Sequence, residues 1–122
     1  MFFSIQLRKS YSFQDLIEMS VNHDKIKHFL KEDAFIISNH ARIRMFQRNI
    51  STENIKEIII RGQMIEDYPE EEPCPSALFF AYSEGRLCHI VVAECKDHIR
   101  IITVYIPENN KWIDNIVRRD QR

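Results

Sequence analysis

The hydrophobic pattern of this chain changes its period at Gly62, and that change limits the fold more than any other feature of the sequence. Before Gly62, apolar residues recur at helical spacing, as in Ile55, Ile58 and Ile59. After Gly62, apolar residues form short extended runs that are separated by turn residues. The sequence therefore predicts an α+β protein, with N-terminal helices packed on a four-stranded, mostly antiparallel sheet.

The boundaries of these elements follow from residues that start or stop them. Ser51 can cap a helix that Gly62 ends, and Ile26, Phe29 and Leu30 give an earlier helix its apolar side. A loop with three prolines, residues 69–75, cannot lie within a central ladder. The predicted strands are 63–68, 78–83, 87–95 and 99–106, with a hairpin turn at Glu84-Gly85.

Weaker signals lie outside this core pattern. Alternating apolar residues at 3–7 suggest a short edge strand or an ordered arm, and Ser12 to Asp15 resembles a capping box that opens a helix. Residues 34–38 are interpreted as an extended link. Trp112, Ile113, Ile116 and Val117 favour a short helix before a solvated tail.

One stretch, residues 38–51, carries the chemistry that the sequence offers. A helix is predicted from Asn39 to about Asn49, with Ser38 or Asn39 as its cap. At about 100° per residue, His40, Arg44 and Arg48 lie within roughly an 80° stripe, with the packing residues Ala41 and Met45 beside it. An imidazole can move protons near neutral pH, and guanidiniums bind phosphate oxygens. The stripe therefore suits phosphodiester cleavage, although a capping histidine and solvated or paired arginines would give the same spacing.

Composition limits the class of protein. The formal net charge is −1, which argues against a broad basic surface, yet residues 1–61 carry a net +3 and residues 62–99 a net −6. No apolar run reaches the roughly 20 residues that span a bilayer.

The three cysteines, Cys74, Cys88 and Cys95, show no C-x-x-C motif and are predicted to be reduced packing residues of a cytoplasmic protein without a membrane partner. His23 and His28 have no suitable metal-ligating neighbours at metal-site spacing, so no metal and no cofactor is expected.

An ordered set of short motifs carries a family resemblance. They are Ser38-Asn39-His40-Ala41, Arg44-Met45, Arg48, Ile50-Ser51, Gly62, Ile65-Glu66-Asp67-Tyr68, Leu87-Cys88-His89-Ile90-Val91-Val92, Ile101-Ile102-Thr103-Val104-Tyr105 and Trp112. On these motifs the chain resembles the family known as domain of unknown function 4258. Asn49 departs from the glycine usual at its position, but asparagine also tolerates a left-handed backbone.

The resemblance implies a division of the chain and a class of activity. The length of the chain predicts a single domain of residues 1–122. Within it, the resemblance covers 38–113 as the family-like core, which leaves 1–37 as an N-terminal extension with helices and 114–122 as a tail. The fold would be similar to RelE and barnase-like ribonucleases. Such a protein would act as a toxin beside a zinc-finger or helix-turn-helix antitoxin.

Two hypotheses follow. In the first, the protein is a metal-independent endoribonuclease and toxin: His40 acts as general base or acid, Arg44 and Arg48 stabilise the added charge, and Tyr105 orients the phosphate or stacks a base of the RNA partner. In the second, the same helix belongs to a non-catalytic interaction or regulatory module that binds an acidic protein or structures the core. A third interpretation, a metal-dependent nuclease, fits poorly because no carboxylate–histidine cluster has the required spacing.

Overall fold

The computed structural model describes residues 21–107 and two short strands beyond them, at 112–113 and 117–118. Its described part is α+β, with three helices and a five-stranded mixed sheet of order β1-β5-β4-β3-β2. The helices are α1 (His23–Lys31), α2 (Asn39–Arg48) and α3 (Thr52–Arg61). The strands of the sheet are β1 (Phe35–Ile37), β2 (Gln63–Tyr68), β3 (Ser76–Ser83), β4 (Arg86–Glu94) and β5 (Ile99–Tyr105).

Strands β2 to β5 form the predicted antiparallel meander, but the sheet gains a fifth strand. Phe35–Ile37, which was expected to be a link, pairs in parallel with β5, and Phe35 lies opposite Ile99. Ile37 is buried in the core, and Phe35 packs against the core from the same side. Three residues are too few to show an alternating pattern, and their partner strand comes much later in the chain. The four-stranded prediction is therefore corrected to a mixed sheet of five.

The change of period at Gly62 corresponds to a direct passage from α3 into β2. A Cβ atom on Gly62 would lie 2.2 Å from the carbonyl oxygen of Ile58 and 2.9 Å from that of Phe80. Only glycine allows helix and sheet to approach this closely. At the other predicted turn, Glu84 and Gly85 have φ angles of 52° and 81°, as a tight hairpin requires.

The helices pack on one face of the sheet and enclose the main core. Ile55, Ile58 and Ile59 of α3 are fully buried, as their spacing predicted. Ile26 and Leu30 of α1 are buried with them. These side chains meet inward-pointing strand residues in a cluster completed by Val21, Ile37, Ala41, Met45, Ile50, Ala77, Phe79, Cys88, Ile90, Val92, Ile99, Ile101 and Val104.

The prediction of three reduced cysteines is wrong for two of them. Cys74 and Cys95 form a disulfide, while Cys88 is free and buried in the core. Ser76 pairs with Ala93, so Cys74 and Cys95 each lie two residues beyond that pair and face each other. The register of β3 and β4 therefore brings the two thiols together. The disulfide also removes the argument from free thiols for a cytoplasmic location.

The predicted helix near the C-terminus is wrong where the structure describes it. Trp112–Ile113 (β6) and Val117–Arg118 (β7) are two short strands that pair antiparallel. The predictions for residues 3–7, for the capping box at 12–15 and for the helix it opens lie outside the described residues. No helix in the described part of the chain is both long enough and apolar enough to cross a membrane.

Candidate functional site

The start of α2 is fixed on β5 by the side chain and backbone of Ser38. The amide of Ser38 donates to the carbonyl oxygen of Ile101 at 3.0 Å, and its hydroxyl donates to that of Ile102 at 2.8 Å. The same hydroxyl oxygen accepts from the Ala41 amide at 3.0 Å, so Ser38 is the cap of the helix. The first turn of α2 is therefore held to a central part of the fold.

The faces of α2 are divided as the helical spacing predicts. Ala41 and Met45 are buried in the core, whereas His40 and Arg48 are exposed and Arg44 is half-buried. The structure thus brings His40, Arg44 and Arg48 onto one side of one helix. The imidazole and the two guanidiniums can therefore contact a charged ligand that approaches from solvent.

The other end of α2 is held by an arginine that sequence reasoning did not consider. Asn49 adopts the left-handed conformation, with φ 56° and ψ 50°, as its tolerance for that region predicted. The guanidinium of Arg86 donates to the carbonyl oxygens of Arg48 and Asn49, the latter at 3.1 Å. A cation at this end complements the partial negative charge of the helix C-terminus. The positive end of the helix dipole lies at the opposite end, beside His40.

Tyr105, the fourth predicted site residue, lies in a different group. It is paired with His89 across β5 and β4, and its hydroxyl lies 3.3 Å from His89 Nδ1. The His89 imidazole is fully buried, with the Tyr105 ring centroid 5.2 Å and the Phe80 ring centroid 6.3 Å away. The three rings form a row across three strands. Tyr105 therefore contacts His89 of β4.

This row lies on what we call the second face of the sheet, the face opposite the helices. Its residues in the described part include Glu66, Tyr68, Ser76, Leu78, Phe80, His89, Val91, Ala93, Arg100, Ile102, Thr103 and Tyr105. Tyr68, Leu78 and Val91 form a small buried cluster there, and the Tyr68 hydroxyl donates to the carboxylate of Glu66.

Sequence reasoning named Tyr105 and His89 separately but missed that they pair, because pairing depends on strand register. It also missed Glu66 and Tyr68 as partners. Their i, i+2 spacing on a strand was the signal that could have found them.

A cavity of about 200 Å³ opens on the same face, toward the disulfide end of the sheet. The loop between β2 and β3 forms one wall of the cavity, and the strands form its floor. Among its lining residues are Arg100, Thr103, Ser76 and the acidic Glu71 and Glu72. This arrangement adds donors and acceptors beside an otherwise apolar surface.

The described residues offer neither a reactive free thiol nor a cluster of metal ligands. Burial raises the pKa of the Cys88 thiol, and the nearby Arg86 guanidinium opposes this effect only in part. Cys88 is thus a poor nucleophile in the folded protein. Within the described ranges, no group of three or more His, Cys, Asp or Glu side chains is placed to hold a metal ion.

Comparison with known proteins gives a match to a family model. A family model described as a domain of unknown function, DUF4258, matches residues 37–106, which is more than half of the chain. The matched range begins in β1 and ends just after β5, so it contains α2, α3 and the whole meander. No curated protein and no solved structure shows a significant match to the chain.

Proposed function

The chain belongs to the DUF4258 family, and we propose that it is a metal-independent endoribonuclease that acts as the toxin of a toxin–antitoxin pair. The observation that carries the proposal is the stripe of exposed His40, half-buried Arg44 and exposed Arg48 on α2, a helix that contains no acidic residue. A polyanionic substrate meets only positive or neutral side chains along this helix. The RelE and barnase-like likeness of the fold is part of the same proposal.

The proposed reaction forms a bond between the RNA 2′ oxygen and the adjacent phosphorus and breaks the bond from phosphorus to the 5′ oxygen. The neutral imidazole of His40 takes the proton of the 2′ hydroxyl, and the leaving 5′ oxygen takes a proton from water. Arg44 and Arg48 stabilise the charge that develops on the phosphate oxygens. The products are a 2′,3′-cyclic phosphate and a 5′ hydroxyl.

The positive end of the α2 dipole supports His40 as the residue nearest the reacting phosphate. Backbone N–H groups at a helix start favour anions, and His40 lies in this first turn. The Ser38 hydrogen bonds to β5 hold that turn in place, and a fixed position is what proton transfer requires. Tyr105, on the second face, is proposed to stack a base of the bound strand.

The test is cleavage of labelled RNA of mixed sequence in excess chelator. We expect His40→Ala to lower the rate by about 10² to 10⁴-fold, the usual contribution of a general base. Arg44→Ala should lower it by about 10² to 10³-fold through lost charge stabilisation. Arg42→Ala is the matched control, because Arg42 is exposed on the same helix but outside the stripe. Equal rates for wild type and His40→Ala, with cyclic phosphate ends in both, would refute the role of His40.

A second candidate function rests on a different observation about α2. Ile43 is 57 % exposed and Phe46 is 88 % exposed, and the two lie one helical turn apart. Large exposed apolar residues of this kind mark interaction surfaces. The candidate is a module whose α2 binds a protein such as an antitoxin through the apolar pair Ile43 and Phe46.

Salt dependence separates the two candidates. Binding of RNA to the stripe should weaken steeply as salt rises, because phosphate contacts release counterions. Binding of a protein through Ile43 and Phe46 should depend little on salt and should be lost in Phe46→Ala. If Phe46→Ala and wild type bind the partner equally, the exposed pair is not the interface.

A further inference from the structure

The cavity on the second face has an apolar floor shaped by three adjacent strands. Val91 and Ala93 lie two residues apart on β4, and Ile102 of β5 lies beside them. Pro73 and the Cys74 end of the disulfide close the side toward the β2–β3 loop. A flat, weakly polar group fits against this floor.

The polar groups of the cavity form a donor side and an acceptor side. Arg100, from β5, is half-buried and supplies a guanidinium fork that stays charged at all relevant pH values. None of the ion pairs within the described residues involves Arg100. Glu71 and Glu72 are exposed on the loop and supply carboxylate oxygens as acceptors.

We infer that this cavity binds an unstacked guanine base of the RNA. The Arg100 fork matches the two adjacent acceptors of guanine, O6 and N7. The carboxylates of Glu71 and Glu72 match the donors on its Watson–Crick edge, N1–H and the 2-amino group. Adenine places an amino donor where guanine has O6, so it cannot accept from both arms of the fork. The choice of RNA as the molecule that carries the base rests on the proposed function.

Ile102 connects the cavity to α2, the proposed catalytic helix. The side chain of Ile102 lines the cavity, while its carbonyl oxygen accepts the hydrogen bond from the Ser38 hydroxyl that caps α2. His40 follows Ser38 by two residues. A base held over Ile102 therefore lies on the strand that supports the first turn of α2. This places base recognition and phosphate chemistry on the two sides of β5.

The experiment is calorimetric titration of the protein with the four ribonucleoside 5′-monophosphates, which lack an internucleotide phosphodiester and therefore cannot be cleaved by the proposed route. GMP should bind at least about tenfold more tightly than AMP, the discrimination expected of one good bidentate contact. The two ligands share the same phosphate, so the difference reports the base. Equal affinity for all four nucleotides, or no binding, would overturn the inference.

Added substitutions assign the effect to the cavity. Arg100→Ala should weaken GMP binding at least about tenfold, to the level of AMP. Arg61→Ala is the matched control, since it removes one exposed arginine from α3 on the helix side of the sheet. Glu71→Gln combined with Glu72→Gln keeps the shape of the loop and should lower GMP affinity more than AMP affinity. If Arg100→Ala and Arg61→Ala have equal effects, the cavity is not the binding site.

These outcomes are distinct from those of the cleavage assay. If no variant cleaves RNA but GMP binds in an Arg100-dependent manner, the nuclease proposal fails and the guanine pocket stands as a nucleotide site. If wild type cleaves RNA at all four bases alike and GMP does not bind, the pocket is refuted and the nuclease stands.

Discussion

The two faces of the sheet are built from the same strands, but they differ in polarity and in packing. On the helix side, the strands contribute residues such as Phe79, Ile90 and Val92, which are fully buried in an apolar core. On the second face, the same strands contribute His89, Glu66 and Arg100, with a small apolar cluster and a cavity between them. Alternation along each strand makes this separation possible, because successive side chains point to opposite faces. One face stabilises the fold, and the other is free to carry polar groups.

Replacing each of two neighbouring phenylalanines should give the largest difference in stability between the two faces. Phe79 is fully buried on the helix side, and Phe80 is half-buried on the second face. Phe79→Ala should lower the free energy of unfolding by about 3–5 kcal/mol, the range for large buried aromatics. Phe80→Ala should cost about half as much, because less of its surface leaves water on folding. Urea denaturation measures both, and equal losses would mean that the second face is as tightly packed as the first.

The disulfide should have the next largest effect. Removing the Cys74–Cys95 link, with a sequence separation of 21, by Cys→Ser at both positions should cost about 3 kcal/mol through the greater freedom of the unfolded chain. Urea denaturation with and without a dithiol reductant measures this loss. The double variant should no longer respond to the reductant. A wild type that is equally stable in both conditions would show that the link contributes nothing.

The caps of the two adjacent helices give a smaller and more selective test. Ser38→Ala and Ser51→Ala should each lower stability by about 1 kcal/mol, since each removes a helix cap. Ser38 also bonds to Ile102, whereas the Ser51 hydroxyl accepts from the Asn54 amide of its own helix. Amide chemical shifts along β5 should therefore move in Ser38→Ala and stay unchanged in Ser51→Ala. Shifts that are the same in both variants would show that α2 is not coupled to the strand.

The smallest effect is expected at Cys88, whose reactivity with thiol reagents reports how well the core on the helix side is shielded from solvent. Burial raises the pKa of this thiol, so the reactive thiolate is scarce at neutral pH and the sulfur is shielded. After reduction of the disulfide, thiol reagents should label two cysteines in the folded protein and the third only in urea. Mass spectrometry of the labelled protein gives the count. Prompt labelling of Cys88 without urea would reveal an opening of the core near β4.

The helix caps, the helix boundaries and the buried side of α3 were predicted correctly, because they depend on residues that are close together in the sequence. Ser38 and Ser51 cap their helices, Asn49 takes the left-handed conformation, and Gly62 separates helix from strand. The burial of the Ile55 side of α3 also followed from spacing, because helix periodicity needs no knowledge of distant residues. The stripe of His40 and the two arginines on α2 belongs to the same class of inference.

Features that depend on strand pairing were not predicted. The parallel pairing of Phe35 with Ile99, the Cys74–Cys95 disulfide and the contact of His89 with Tyr105 each join residues on, or next to, different strands. Register decides such contacts, and a shift of one residue would move every side chain to the other face. Composition and spacing carry little information about register. The cavity depends on the same pairing and could not be found from the sequence.

The Ser38–Ile102 hydrogen bond has a consequence for the order in which the protein is completed during synthesis. The two residues are 64 positions apart, so α2 leaves the ribosome long before the strand that supports it. Strands β2, β3 and β4 pair with their neighbours along the chain, and such local pairings form early. The start of α2 gains its support only when β5 joins them. A nascent chain thus carries His40 without a fixed position until the last strand of the sheet has been made.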